Sequence, residues 1–198
     1  MGKKVVAIVG SYRRRGTVDT AVAAVLEGAR KRGAETSTIY LTEQHIEFCT
    51  NCRSCGQTPG EERGKCLLQD DLNGIVSEIE SADAIVLGSP VNCGNVTAIF
   101  RQFMERLLGC CYWPWGQAAP KVRYTKRRMK AVLVASSAMP SIMMLFFTGA
   151  ATALQMTAKM LGARSVGNLW LGMRAGDPHH ELSPRTLTKA ERLGMKLA

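Results

Sequence analysis
The run Val5-Val6-Ala7-Ile8-Val9, closed by Gly10, carries an apolar side chain at every position. A strand of that kind needs cover on both faces, which is the situation inside a parallel sheet flanked by helices. The pattern then changes period. Ala21, Val22, Val25, Leu26 and Ala29 recur at helical spacing, and Gly33 ends them. Residues 36–41 alternate weakly and read as a second strand. Further on, Asp70-Asp71 offers an N-cap to a helix with Leu72, Ile75, Val76 and Ile79 on one face. Residues 84–87 form a third apolar run, followed by Val96, Ile99, Phe100, Phe103, Met104 and Leu107 at helical spacing. Residues 129–135 make a fourth strand with a helix near 149–161 after it. Residues 165–171 make a fifth, and Leu187, Ala190, Leu193 and Leu197 mark a closing helix.

Strands that alternate with helices call for α/β architecture, a parallel sheet with helices on both faces. Five such units is the flavodoxin-like count, a three-layer fold whose strand order is 2-1-3-4-5. The 198 residues are expected to form a single domain, 1–198, with a cysteine-containing excursion at about 42–69. The N-terminus shows no signal-peptide pattern, so the expected location is cytoplasmic. Residues 131–158 hold no charge, yet Ser136-Ser137, Pro140-Ser141 and Thr148-Gly149 interrupt them. They read as a buried strand, a loop and a buried helix, with no membrane span.

The net charge is +10, which suits anionic partners as well as solubility. Arg30-Lys31-Arg32 and the six basic residues in 121–130 read as solvated surface. The second run contains Tyr124 but no recognisable nucleic-acid motif, so no nucleic-acid role is expected.

The loop after the first strand, Gly10-Ser11-Tyr12-Arg13-Arg14-Arg15-Gly16-Thr17, leads into a helix N-terminus, where free N–H groups and the helix dipole favour phosphate. Ser11, Thr17 and Thr20 add hydroxyls, and Arg13 adds a charge-assisted donor. A Walker A loop fails here because Arg15 stands where its second glycine belongs. A dinucleotide fingerprint fails because Tyr12 takes the second glycine position. A single phosphate, hence a mononucleotide, fits what remains; an ordinary polar turn fits it too. Gly88-Ser89-Pro90-Val91-Asn92-Cys93-Gly94-Asn95-Val96 follows the third strand. Strands one and three flank the switch point of this topology, so a ligand at one loop touches the other. The alternative is a plain strand-to-helix turn capped by Asn95.

On these residues the chain resembles a known family. Gly10-Ser11-x-Arg13-x-x-Gly16-Thr17 is similar to the first-loop motif of the NADPH-dependent FMN reductase family, with Tyr12 in place of the usual proline. Gly88-Ser89-Pro90-Val91-Asn92-x-Gly94-Asn95-Val96 is similar to that family's second FMN loop. Residues 49–71 resemble its iron–sulfur flavoprotein branch. The resemblance implies that Ser11, Arg13, Gly16, Thr17 and Val18 hold the FMN phosphate. It implies that Pro90, Val91, Asn92, Cys93, Gly94 and Asn95 line the ribityl chain and isoalloxazine, with Ser136, Ser137 and Ala138 as a third contact. It further implies electron flow from NAD(P)H through FMN to a small acceptor (a flavin, a quinone, or a nitro- or azo-aromatic) or to a redox protein, in a homodimer or homotetramer. The alternative it carries is an iron–sulfur flavoprotein electron carrier with a 4Fe–4S cluster beside FMN.

Seven cysteines without a secretory signal do not read as a disulfide framework. Cys49, Cys52 and Cys55 are spaced by two residues, and ten residues separate Cys55 from Cys66. Four thiolates so spaced can ligate a 4Fe–4S cluster; zinc and packed free thiols are the alternatives. Similar iron–sulfur flavoproteins have a shorter gap to the fourth cysteine. Here the gap holds Gly56, Pro59, Gly60 and Gly64, a stretch that can loop out. Cys93 reads as a small packing residue, and Cys110-Cys111-Tyr112-Trp113-Pro114-Trp115 as an oligomer contact. His45, His179 and His180 are scattered, the last two in an expected surface turn, and no acid–base residue is assigned. That fits redox chemistry carried by a cofactor.

Overall fold
The computed structural model describes residues 2–124, 129–176 and 181–198. The turn expected at His179 and His180 and residues 125–128 of the basic run lie outside the described residues. In chain order the elements are β1 (Lys4–Val9), α1 (Thr17–Arg30), β2 (Glu35–Tyr40), α2 (Leu72–Glu80), β3 (Ala84–Asn92), β4 (Asn95–Val96), α3 (Ala98–Arg106), β5 (Cys111–Tyr112), β6 (Lys121–Val122), β7 (Met129–Ser136), α4 (Ser141–Phe147), α5 (Ala150–Met160), β8 (Ala163–Leu171) and α6 (Pro184–Gly194).

The long strands pair in the order β2-β1-β3-β7-β8, all parallel. Counted as five, they give 2-1-3-4-5, the flavodoxin-like order. The all-apolar β1 run is what a central strand requires. Val5, Val6, Ala7, Ile8 and Val9 are fully buried, and alternate side chains point to opposite faces. Val6 and Ile8 enter one core with Ile75 and Ile79 of α2, Phe100 and Phe103 of α3, and Leu154 of α5. Val5, Ala7 and Val9 enter the other with Val22, Val25 and Leu26 of α1 and Leu193 of α6.

Three stretches depart from expectation. First, β3 does not stop at Leu87. Gly88, Ser89 and Pro90 remain in the ladder, opposite Val134, Ala135 and Ser136. The chain then turns at Cys93 and Gly94, both at positive φ (47° and 75°), and returns as β4. That two-residue hairpin demands left-handed backbone at both tip positions. Asn95 therefore sits in a strand, its Oδ1 accepting from the Val96 N–H, and Thr97 caps α3 instead. Second, Asp71 occupies the N-cap of α2 without a side-chain cap bond. Its carboxylate accepts from the His45 N–H at 2.7 Å, so it pins the excursion. Third, the loop expected after β7 contains α4, which buries Met144 and exposes Ile142, Met143, Leu145, Phe146 and Phe147. Among the described residues no single helix is long and apolar enough to cross a membrane. The pair α4 and α5 reaches that length only together, across a 74° bend.

Candidate flavin site and cysteine loop
The loops after β1, β3 and β7 converge at the carboxyl end of the sheet. Gly10 closes β1 with its N–H donating to Gly88 O at 2.8 Å. A Cβ at Gly10 would lie 2.7 Å from Cβ of Phe100, so only glycine lets the loop approach α3 this closely. Ser11 is buried. Its Oγ accepts from the Arg13 N–H and donates to the Arg13 carbonyl, both at 3.2 Å, which curls the loop tightly. Arg15 adopts φ 58°, and its N–H donates to the Asp19 carboxylate.

Helix α1 begins at Thr17 with Gly16 as N-cap and no side-chain cap bond. The first-turn N–H groups, Thr17 and Val18 among them, have no intrahelical acceptor. Val18 buries its side chain, so it offers the site only backbone. Arg13 is exposed in the loop just ahead of this turn. Arg14 behaves differently: it pairs with Glu43 and stacks over the Tyr40 ring. Tyr40 in turn donates to Asp19 at 2.9 Å. Burial, then this bond to Asp19, holds the Tyr40 hydroxyl above its ordinary pKa.

Thr97 joins the first two loops, and neither motif reveals it. Its hydroxyl donates to Gly10 O at 2.6 Å, its N–H donates to Ser89 Oγ at 3.1 Å, and its Oγ1 accepts from the Phe100 N–H. The cue in the sequence is a threonine just ahead of a helical pattern, an N-cap residue type. Tyr12 adds a second link, its OH accepting from the Ile99 N–H at 3.3 Å. Thr97→Val should leave Gly10 O without its donor and α3 without its cap, costing about 1–3 kcal/mol, readable as a lower urea midpoint with unchanged m-value.

The hairpin tip leans on the third region. Gly149, at the start of α5, donates its N–H to Gly94 O at 2.9 Å, and a Cβ there would strike the Asn95 amide at 2.6 Å. Pro90, Val91 and Asn95 are half-buried, while Asn92, Cys93 and Gly94 are exposed. Cys93 is thus no packing residue; it is an exposed side chain at the tip. In the third loop Ser136 and Ser137 are buried and Ala138 is exposed. The Ser137 N–H donates to Leu171 O and its hydroxyl to Met139 O, which holds the loop down on β8.

The cysteine excursion is ordered by two buried arginines. Arg123 lies within the basic run expected to be solvated, yet it is only 4% exposed. Its guanidinium donates to the carbonyls of Gly109, Thr58, Gly60 and Cys55, at 2.8–3.2 Å. Burying a guanidinium is tolerable only because so many acceptors meet it. The ten-residue gap between Cys55 and Cys66 is wrapped around this group. Arg106, at the end of α3, forms a buried ion pair with Asp70 at 2.5 Å, with the two side chains 1% and 0% exposed. It also donates to Glu47 O at 2.6 Å and to Cys66 Sγ at 3.4 Å. The segment Trp113-Pro114-Trp115 lies over the excursion of its own chain. The Trp113 N–H donates to Gly56 O, and Arg53 stacks on both indoles.

Cys49, Cys55 and Cys66 are half-buried and Cys52 is exposed; all are free. Burial pushes the Cys55 thiol up to about 11, and the neighbouring charges of Cys66, Cys49 and Cys52 add to the rise. Bonds to the Ser54 side chain and backbone lower the Cys52 thiol. Among the described residues no three His, Cys, Asp or Glu side chains converge as a single ion requires. A four-iron cluster asks for something else, one thiolate on each of four separate irons. Cys110 is buried and its thiol pushed up to about 12, chiefly by burial, so it is inert.

The comparisons with known proteins agree with this arrangement. The chain superposes on an NAD(P)H:quinone oxidoreductase from Methanothermobacter marburgensis with a TM-score of 0.73, at 19% identity and with both chains covered completely. An azoreductase from Bacillus anthracis gives 0.72 at 13% identity, over 98% of this chain and 99% of that one. At such identities the likeness concerns the fold. In sequence, it is 36% identical over 103 residues to an iron–sulfur flavoprotein of Methanocaldococcus jannaschii, covering 52% of this chain and 51% of the relative. An iron–sulfur flavoprotein of Archaeoglobus fulgidus is 32% identical over 105 residues, covering 53% and 46%. The chain therefore spans about half the length of the curated relatives it matches. Residues 3–170 match the model of the NADPH-dependent FMN reductase family, and the chain belongs to that family.

Proposed function
We propose that this chain binds FMN across its three loops and passes electrons from NAD(P)H to a small acceptor, a free flavin, a quinone or a nitro- or azo-aromatic. The observation that carries this reading is the Thr97 junction: one buried hydroxyl ties the Gly10 end of the loop that leads into the uncapped α1 turn to the β3–β4 hairpin, at the switch point of the sheet. Quinone and azo acceptors are the ones in the names of its structural neighbours.

The α1 N–H groups of Thr17 and Val18 and the Ser11 and Arg13 side chains hold the phosphate, with Gly16 leaving space for it. Pro90, Val91, Asn92, Cys93, Gly94 and Asn95 form the ledge for ribityl chain and ring, and Ser136, Ser137 and Ala138 bound its far side. FMN, when bound, supplies the hydride and electron chemistry, and the protein supplies position and electrostatics. No side chain is assigned as acid or base. Residues 1–198 act as one unit, because α6 packs back on α1, with Lys31 and Glu191 paired at 2.7 Å. The exposed apolar side chains of α4, beside the third loop, suit contact with a second copy in a homodimer or homotetramer. Seven free thiols suit a reducing compartment such as the cytoplasm.

A second reading, an electron carrier with a 4Fe–4S cluster at Cys49, Cys52, Cys55 and Cys66, is favoured by the thiol charges gathered around Cys55. The deciding experiment is a visible spectrum of protein purified without oxygen, with iron, zinc and sulfide assays on the same sample and NAD(P)H added anaerobically. Bleaching of a yellow, iron-free sample by NAD(P)H supports the reductase. A brown, iron- and sulfide-containing sample unmoved by NAD(P)H supports the carrier, and a colourless sample that FMN does not restore overturns both. Arg13→Ala should weaken FMN about 10–100-fold in a fluorescence-quenching titration, the loss of one charge-assisted phosphate contact.

A further inference from the structure
Tyr40 ends β2 in register with Val9, the last residue of β1, so the sheet itself brings it to the loop that leads into α1. Its hydroxyl donates to Asp19 Oδ1 at 2.9 Å, while the Arg15 N–H donates to Asp19 Oδ2 at 2.5 Å. Both carboxylate oxygens are thereby engaged outside the helix. That is not what the position of Asp19 favours. It is the third residue of α1, where an acidic side chain is drawn by the helix dipole and turns back to the N-terminal N–H groups of its own helix. Here it reaches past the N-cap Gly16 to Arg15, whose φ of 58° aims the N–H at it. The N–H groups of Thr17 and Val18 are left with no acceptor among the described residues. Arg14 braces the latch, its guanidinium 3.0 Å from the centre of the Tyr40 ring and paired with Glu43. Burial, then the bond to Asp19, raises the Tyr40 pKa, so the hydroxyl stays a donor throughout the neutral range.

We propose that Tyr40 is a positioning residue for the phosphate turn: it holds the Asp19 carboxylate against Arg15, clear of the free N–H groups of Thr17 and Val18, and so lets that turn take an organic phosphate. This rests on the FMN reading above, which the open first turn of α1 suits. A carboxylate and a phosphate are both oxyanions and compete for the same donors. A carboxylate carried in the first turn competes at the high effective concentration of a tethered group. Without the Tyr40 bond one of its oxygens loses its donor, and the nearest replacements are the Thr17 and Val18 N–H groups. The competition concerns phosphate alone. FMN and riboflavin share ring and ribityl chain and differ only in that group, so the latch sets preference between the two flavins and not affinity for the ring.

The test titrates the flavin-free full chain with FMN and with riboflavin by fluorescence quenching, and follows amide hydrogen exchange of the same flavin-free protein by nuclear magnetic resonance. Tyr40→Phe keeps the ring under Arg14 and should weaken FMN about tenfold while leaving riboflavin within about twofold. Asp19→Asn keeps an acceptor for the Arg15 N–H but carries no charge. Combined with Tyr40→Phe it should recover the lost FMN affinity; alone it should bind FMN at least as tightly as wild type, which serves if Tyr40→Phe fails to fold. In flavin-free Tyr40→Phe the Thr17 and Val18 amides should exchange about tenfold more slowly than in wild type, because the carboxylate now meets them. Equal losses of FMN and riboflavin, a loss that Asp19→Asn does not restore, or weaker FMN binding by Asp19→Asn alone overturn the assignment and leave the FMN reading standing. Wild-type chain that takes neither flavin overturns the FMN reading. Unchanged exchange at Thr17 and Val18 overturns the latch whether or not FMN binds.

Discussion

Asp70→Ala should lower the unfolding free energy by about 3–5 kcal/mol at neutral pH, the cost of leaving one member of a buried ion pair without its partner. The stranded charge is Arg106, whose side chain is 1% exposed. The aspartate also accepts from the Glu47 N–H at 2.9 Å and the Leu72 N–H at 3.2 Å, so its loss frees both ends of the cysteine excursion at once. The pH dependence has a definite sign. Burial raises the Asp70 pKa, and the bonds from Arg106, Glu47 and Leu72 outweigh it, so the carboxyl titrates below its ordinary value. A folded pKa below the unfolded value of about 3.9 contributes stability that is present above that pH and is lost as pH falls through the folded value. The gap between wild type and Asp70→Ala, measured by urea unfolding from pH 7 down to pH 2, should therefore close only below about pH 4. A gap that stays constant through that window would show that the pair contributes shape and not charge.

Arg123→Met should open the loop between Cys55 and Cys66 while leaving the sheet intact. The side chain holds four carbonyls, three of them inside or at the start of that loop, and methionine offers none of them a donor. Unpaired buried acceptors cost about 1–3 kcal/mol each. Solvent can reach a loosened loop, so an opening cost reduced by about 3 kcal/mol is the reasonable net. Trypsin has two targets there, Arg63 and Lys65. Cleavage through local opening should become about 100-fold faster. Far-ultraviolet dichroism should hardly change, because the guanidinium's hydrogen bonds go to loop carbonyls at Cys55, Thr58, Gly60 and Gly109 and not into the ladder of the main sheet. Equal cleavage rates in variant and wild type would mean that the loop is held elsewhere, with the Trp113–Gly56 contact as the first place to look.

The features legible from residues alone were those set by local physics. A run such as Val5-Val6-Ala7-Ile8-Val9 has nowhere to go but the middle of a sheet, and helical spacing from Ala21 to Ala29 gives one face to bury. Gly10 and Gly94 announce loops because only glycine suits their contacts or their φ. The alternation of strands and helices and the resemblance to a flavin family rest on such signals, while the strand order came only with the fold type they indicate; the fold and the family are as expected. Tertiary structure decided the rest, for one recurring reason: whether a polar group is surface or core depends on acceptors that are distant in sequence. Arg123 sits in a basic run and looks solvated until Cys55, Thr58, Gly60 and Gly109 are folded around it. Arg106 did leave a trace, standing three residues past Phe103 and seven past Ile99 on the apolar side of α3, but only Asp70 explains a cation there. The cap considered at Asn95 fell to Thr97, whose hydroxyl also bolts the hairpin to Gly10, 87 residues away in sequence. Residues 141–147 read as part of a loop, and the fold makes them α4, an apolar helix left mostly exposed, with only Met144 finding room in the core. Apolar periodicity is enough to choose an architecture, but a buried charge is bearable only where the completed fold brings its partners to it.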